Sequence, residues 1–305
     1  MLEKSKFPPQ SFPQSLPQNL EDAFDPEVVR DSAFSPNTKL EIWVGDMCVR
    51  LAESEEEVKA AQRLRYKIFY EEMRAQPTAE ILRLERDFDH LDALCDHLLV
   101  IDSTQTGNDA VVGTYRLITR KMAIKAGGFY SASEYDVSCL EAYQGEVLEV
   151  GRSCVAPNYR TGTTMQMLWR GLANYAFIHD IELMFGCASF HGTDVSKLHR
   201  ALAYLHHYHL APEEIRPRAL PSRYVEMNNI PFEKIDVKEA LAEMPPLIKG
   251  YLRIGGLVSA GAVIDWQFNT TDVCMIVRME MLTDKYKKNY SRSLPNTADG
   301  NSPAA

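Results

Sequence analysis

From Leu40 onward, apolar and polar residues begin to alternate, and Leu40, Ile42 and Val44, then Val49 and Leu51, stand at the spacing of paired β-strands. Ser54 with Glu57 three residues later is a capping-box signature. Val58, Ala61, Leu64 and Ile68 then recur at near-helical intervals, which predicts an amphipathic helix to about Glu72. Two β-rich runs, 97–102 and 110–119, flank a segment of Ser, Thr, Gly and Asn and predict a hairpin. Residues 146–155 form a further strand, stopped at Ala156-Pro157-Asn158. Beyond Gly162, the residues Met165, Leu168, Leu172 and Tyr175 mark one side of a helix, and 181–188 read as a buried strand. Asp194 is placed to cap a helix through about His207, and the prolines of 212–221 interrupt regularity. Pro245 and Pro246 open a short helix. The runs 262–268 and 273–279, joined by Asn-Thr-Thr-Asp, are expected to close the sheet as a final pair. This order predicts α/β (α+β) architecture, a mixed central sheet flanked by helices rather than a regularly alternating parallel one.

The chain ends break the pattern. Residues 1–38 are rich in Pro, Gln and Ser without periodicity and read as a disordered arm; 291–305 read as a disordered tail, leaving 39–290 as a single domain. A chain of 305 residues accommodates that arrangement, and an apolar share of 45% with 25% charged residues excludes wholesale disorder. Lys and Arg total 33 against 42 Asp and Glu, a net charge of -9, which argues against nonspecific nucleic-acid binding and suits a cationic small substrate. An acidic protein partner would need the basic residues gathered into one patch, for which Arg200, Arg216, Arg218 and Arg223 are the candidates. Cys48, Cys95, Cys139, Cys154, Cys187 and Cys274 lack any CxxC pair and read as reduced thiols of a cytoplasmic protein. No signal peptide is expected. The longest apolar region, 245–264, is interrupted by Lys249 and Arg253, which argues against a membrane span.

Three short patterns follow in fixed order: Leu64-Arg65-Tyr66-Lys67-Ile68-Phe69 on the first helix, Asp89-His90-Leu91-Asp92 after it, and Glu149-Val150-Gly151-Arg152 on the central strand. With Arg116 on an intervening strand, this arrangement resembles the acyl-carrier-protein-dependent branch of the GNAT superfamily, which includes the acyl-homoserine-lactone synthases. The run from Cys187 to Asp194, Leu205-His206-His207, the segment from Pro245 to Arg253 and the closing Ala262-Val263-Ile264-Asp265 make the chain more similar to the ornithine-lipid N-acyltransferase family. The resemblance covers roughly 40–280. It implies a GNAT-like fold and transfer of a 3-hydroxy fatty acyl group from an acyl carrier protein thioester to the α-amino group of L-ornithine, with no cofactor. It also implies acceptor-binding roles for Asp89, Asp92, Arg65, Phe69 and Arg116.

The residues carry chemistry of their own. An amine attacks a thioester only when uncharged, so a carboxylate beside the acceptor, first of all Glu149, can take its proton. Arg152 would point to the opposite face of an ideal strand unless a bulge at Gly151 brought it round. Both could instead form structural pairs with neighbouring strands. Asp89 and Asp92 could hold a cationic amino acid by charge-assisted hydrogen bonds, or simply cap a loop; Asp96 is a further acid. Arg160, Gly162 and Thr163 stand where the superfamily binds acyl or pantetheine phosphate at a helix N-terminus. The glycine is one place early for tight coenzyme A binding, and a ligand-free turn is the alternative. The segment from Leu247 to Val258 could line an acyl groove, make peripheral contact with the inner membrane, or be a core helix. His191, His199, His206, His207 and His209 match no zinc spacing, so no metal is expected. Cys154 and Cys187 stay open as nucleophiles, though direct transfer needs none. A different acceptor such as glutamine, glycine or S-adenosylmethionine, or a non-catalytic acyl-binding module, are the competing readings.

Overall fold

The computed structural model describes residues 40–160 and 162–280. The arm at 1–38, the tail at 291–305 and Thr161 lie outside the described residues. Strands β1 (Glu41–Val44) and β2 (Met47–Leu51) form the first hairpin. Helix α1 (Glu55–Tyr66) starts where the pattern placed it, with the Ser54 hydroxyl accepting the Glu57 N–H at 3.3 Å. The Glu57 carboxylate also accepts the Glu53 N–H at 2.8 Å and an Arg50 N–H at 2.9 Å, which ties the helix start to β2. A π-helical segment, Lys67–Glu72, carries the helix on, and its wider turn buries the successive residues Ile68, Phe69 and Tyr70.

A short helix α2 (Ala79–Leu84), which the pattern does not predict, precedes the expected hairpin of β3 (Asp96–Asp102) and β4 (Val111–Thr119). The following stretch folds into α3 (Arg120–Ala126), β5 (Tyr135–Asp136) and α4 (Ser138–Glu141), also without an apolar period that announces them. Then β6 (Glu146–Val155), α5 (Gly162–Ile178) and β7 (Ile181–His191) form a β-α-β unit, and β6 and β7 pair in parallel because a helical crossover separates them. Asp194 caps a short 3-10 turn, Val195–Lys197, and α6 begins only at His199, running to His209. The remainder comprises β8 (Arg218–Ala219), β9 (Tyr224–Val225), α7 (Val237–Glu243), α8 (Pro246–Arg253), β10 (Leu257–Val258), β11 (Ala262–Asp265) and β12 (Thr270–Arg278).

The main sheet runs β1-β2-β3-β4-β6-β7-β12-β11-β9, with β10 also beside β12. The final pair therefore does not close the sheet: β12 is inserted next to β7, from Thr270↔His191 to Arg278↔Leu183, and β9 lies outside β11. Thr270, Thr271 and Asp272, expected in the turn, belong to β12. The turn falls earlier, where Asp265 Oδ1 accepts the N–H groups of Gln267 and Phe268 at 2.8 and 3.0 Å, and the β-branched threonines suit the strand. Side chains alternate across the sheet: Leu98 and Val100 pack with Leu168 and Leu172 of α5, whereas Leu99 and Ile101 pack with Ala61 and Leu64 of α1.

One irregularity shapes the middle of this sheet. Strands β6 and β7 pair from Glu146↔Ile181 to Glu149↔Phe185 and no further, although β7 continues along β12 to His191. At the divergence Gly186 leaves room for β6, since a Cβ there would stand 2.0 Å from the Val150 carbonyl oxygen. On its other edge β6 carries a bulge: Gly151 opposes Arg116 and Cys154 opposes Thr114, so Arg152 and Ser153 share Tyr115 as their counterpart. Arg152 takes up the extra residue with a left-handed φ of 52°.

Candidate active site

The diverging strands open a cavity of about 420 Å³. Ile68, Phe69, Met165, Leu247, Tyr251 and Phe268 supply apolar wall, and Arg116, Glu149, Arg152, Arg160, Asp265 and Asp272 supply charge. Helix α8 is both core and cavity wall: Tyr251 packs on Trp169 with ring centroids 4.8 Å apart and its hydroxyl lies 3.1 Å from that of Tyr115, while Pro245 and Leu247 face the cavity. Among the described residues no helix is long and apolar enough to cross a membrane.

Behind one wall stands a buried ionic network. Arg65, fully buried on α1, donates from Nε to Asp87 at 2.8 Å and from Nη1 and Nη2 to Asp92 at 2.8 and 2.9 Å. Arg116 reaches Asp89 at 2.7 Å, and Arg152 reaches Asp87 and Asp89 at 3.2 and 3.3 Å. The Tyr70 hydroxyl donates to Asp87 at 3.0 Å. Burial alone would raise the carboxyls of Asp89 and Asp92, but the arginines outweigh it: Arg116 and Arg152 hold Asp89 below the ordinary carboxylate range, and Arg65 with Arg116 holds Asp92 well below it. Arg152 also lies over the rings of Phe268 and Tyr130, at 4.6 and 4.7 Å, so the bulged strand delivers its guanidinium into an aromatic slot at the cavity.

Glu149 lines the cavity but is closely engaged. Its Oε2 accepts the Tyr130 N–H at 2.7 Å, and Oε1 accepts the Ser131 N–H and hydroxyl at 2.7 and 2.5 Å. Burial raises its carboxyl even so, against those donors and the charge of Arg116. Glu149 therefore fixes the loop that carries Tyr130, and burial lifts its proton affinity.

The bulge thus brings Arg152 to the cavity that Glu149 lines; it lies at Arg152 and Ser153 rather than at Gly151. Phe69, Arg116 and Arg160 line the cavity too, whereas Asp89, Asp92 and Arg65 do not: Asp89 and Asp92 hold Arg116 from behind the wall, Asp89 also holds Arg152, and Arg65 anchors Asp92 and Asp87. Gly162 and Thr163 open α5 away from the cavity lining, and Arg160 is bound by Glu72 through two contacts of 2.6 Å. Asp96 accepts from the Tyr175 hydroxyl at 2.7 Å. Of the four arginines considered for a basic patch, Arg200 pairs with Glu243 at 2.8 Å and with Glu239, and Arg223 turns to Glu134 at 3.4 Å, so nearby acids offset the charge of these two. Burial pushes the Cys154 thiol up to about 12 and Cys187 well above its usual value, so neither offers thiolate at neutral pH.

The sequence pattern assigned no site role to Asp87, Tyr130, Glu134, Asp265 or Asp272, although Asp265 closes one of the motifs that carry the family resemblance. Asp87 follows Arg86 in what reads as a polar loop, and only its spacing of two residues from Asp89 hints at membership of the acidic group. Glu134, Asp265 and Asp272 are all buried and bring carboxylate oxygens within 4.8 Å of one another.

Residues 64–170 match the family described as Acetyltransferase (GNAT) domain. The chain is 46% identical over 251 residues to the L-ornithine N(alpha)-acyltransferase of Agrobacterium fabrum (strain C58), covering 81% of this chain and 86% of the relative. It is 45% identical over 246 residues to the protein of that name from Rhodobacter capsulatus, covering 80% and 94%, and 42% identical over 266 residues to that from Rhizobium meliloti, covering 86% and 90%. With its mixed sheet split between β6 and β7 and identity of this order along most of its length, the chain belongs to the L-ornithine N(alpha)-acyltransferase family and carries a GNAT fold.

Proposed function

We propose that the protein transfers a 3-hydroxy fatty acyl group from an acyl carrier protein thioester to the α-amino group of L-ornithine, giving a lyso-ornithine lipid. The observation that carries this reading is the cavity between the diverging strands, where an apolar wall meets Glu149, Arg116 and Arg152. The acyl chain lies along Leu247, Tyr251 and Met165, and the thioester carbonyl sits at the open edge of β6 beyond Glu149. Backbone N–H groups on that edge, released from pairing with β7, stabilise the oxyanion. The neutral amine nitrogen bonds to the carbonyl carbon, its proton passes to Glu149 directly or through water, and the C–S bond breaks to release the pantetheine thiolate, which takes up that proton from Glu149 and leaves as the thiol. Arg116 and Arg152 meet the carboxylate of the acceptor, held in place by Asp89 and Asp87, with Arg65 and Asp92 supporting from behind. No cofactor enters these steps. A cytoplasmic enzyme working at the inner membrane face, where the lipid product must go, fits the same reading.

Incubating the purified chain with a 3-hydroxyacyl carrier protein and single amino acids tests this by product mass. Acylated ornithine is expected; a product with another amino acid and none with ornithine overturns the acceptor. Glu149→Gln should lower kcat by about 10²–10⁴-fold, the contribution of a general base, while carrier binding in a pull-down persists. Equal turnover by the variant would remove Glu149 from that role.

A further inference from the structure

Glu134, Asp265 and Asp272 come from the segment before β5, the end of β11 and the start of β12, yet their oxygens meet within 4.8 Å. Asp265 and Asp272 line the cavity that also holds Glu149 and Arg152. Asp272 is 6% exposed, and its Oδ1 is enclosed without a hydrogen-bond partner. An acceptor sealed in this way is costly unless a donor arrives with a ligand. Arg223 reaches the group at 3.4 Å from Glu134 and cannot neutralise three carboxyls alone. Burial, then the neighbouring Asp272 and Asp265, pushes Glu134 up to about 7; burial, with Asp265 adding, pushes Asp272 up to about 6 against the hydroxyls of Thr270 and Ser189.

We infer that Glu134, Asp265 and Asp272 form the seat for the side-chain ammonium of the acceptor, so that the cavity selects a diamino acid with its second amine on a short alkyl chain. This deepens, and rests on, the ornithine acylation proposed above. A primary ammonium has three N–H donors, one for each carboxylate. The seat is also within a short reach of the reacting centre: the Ser131 hydroxyl that donates to Glu149 lies 3.5 Å from Cys187 Sγ, which in turn lies 3.3 Å from Glu134 Oε2. An amino acid with its α-amine near Glu149 would therefore carry its terminal amine into the carboxylates. A divalent cation suits the place less well, because the Arg223 guanidinium already stands at Glu134.

The test compares L-ornithine with L-norvaline, which has the same skeleton without the terminal amine, as acceptors for the full chain with a 3-hydroxyacyl carrier protein. Wild type should favour ornithine, and Asp272→Asn should reduce the ornithine-to-norvaline ratio of kcat/KM by about 10- to 100-fold, mainly through KM, as loss of a charge-assisted contact requires. Asp265→Asn serves as the second variant, with circular dichroism to confirm folding. In wild type the same ratio should fall as pH is lowered through about 7 to 6, where Glu134 and Asp272 take up protons. The ratio cancels the titration of the α-amine. The charged and titratable groups facing the seat are Arg223, Asp265, Cys187, Cys274, Tyr130 and Tyr135, of which the cysteines and tyrosines are all raised by burial and stay neutral in this range. Ornithine acylated with no preference over norvaline, folded variants with an unchanged ratio, or a preference abolished by chelation and restored by MgCl₂ or CaCl₂ would each overturn the ammonium seat. Absence of ornithine acylation altogether is a different result, which overturns the acceptor assignment and removes the seat with it.

Discussion

Asp87 binds the ionic network together. It is 1% exposed and meets Arg65 from α1, Tyr70 from the π-helical turn and Arg152 from the bulged strand. Replacing it by Asn keeps the shape and removes the charge, leaving two buried guanidiniums short of a partner. We expect Asp87→Asn to destabilise the fold by about 3 kcal/mol, in the range for breaking a buried ion pair, visible as a lower urea midpoint at unchanged m-value. An unchanged midpoint would show that Asp92 and Asp89 suffice for both arginines. Nothing in the local sequence marks Asp87 for this task. An acid after Arg86 reads as solvated, and its burial depends on Arg65, on the helix before it, and on Arg152, far along the chain.

At the scale of elements, the parting of β6 from β7 creates the site. Glu149 ends the pairing, Gly186 allows the close pass of the Val150 carbonyl, and the bulge at Arg152 turns a guanidinium inward. Gly186→Ala would place a methyl against backbone that cannot move aside cheaply. The expected outcome is a loss of about 2 kcal/mol or more, as for overpacked cores, with a fall in kcat/KM of at least about tenfold from a displaced oxyanion edge; thermal unfolding and steady-state kinetics measure the two. Wild-type behaviour in both would mean that the split does not depend on this glycine. The elements themselves were largely legible where the apolar period was long, as in α1, β3, β4, β6 and α5. The stretch holding α3, β5 and α4 was not, because its short elements are buried by partners distant in sequence, such as Phe185 against Phe129 at 4.9 Å.

For the molecule as a whole, α8 lends Leu247 and Tyr251 to the cavity from outside the segment that matches the GNAT family description, so on the proposed function the acyl chain would meet wall from both parts of the chain. Leu247→Trp should narrow the groove and shift donor preference toward shorter chains, at about 0.8 kcal/mol, or roughly fourfold, for each methylene no longer buried. Competition between carrier thioesters of graded length reads this out, and an unaltered length profile would place the chain elsewhere.

What the sequence determined alone is what short-range physics can encode: the period that selects strand or helix, the Ser54 cap, the crossover that makes β6 and β7 parallel, and motifs specific enough to mark the family. Only the tertiary structure decided which charges meet. A carboxylate in a sequence has no fixed meaning, since its proton affinity and partners are set by burial and by neighbours that the fold supplies. Asp89 and Asp92 became holders of arginines, Glu149 became both a loop anchor and a cavity acid, and Glu134, Asp265 and Asp272 became neighbours because β12 entered the sheet beside β7.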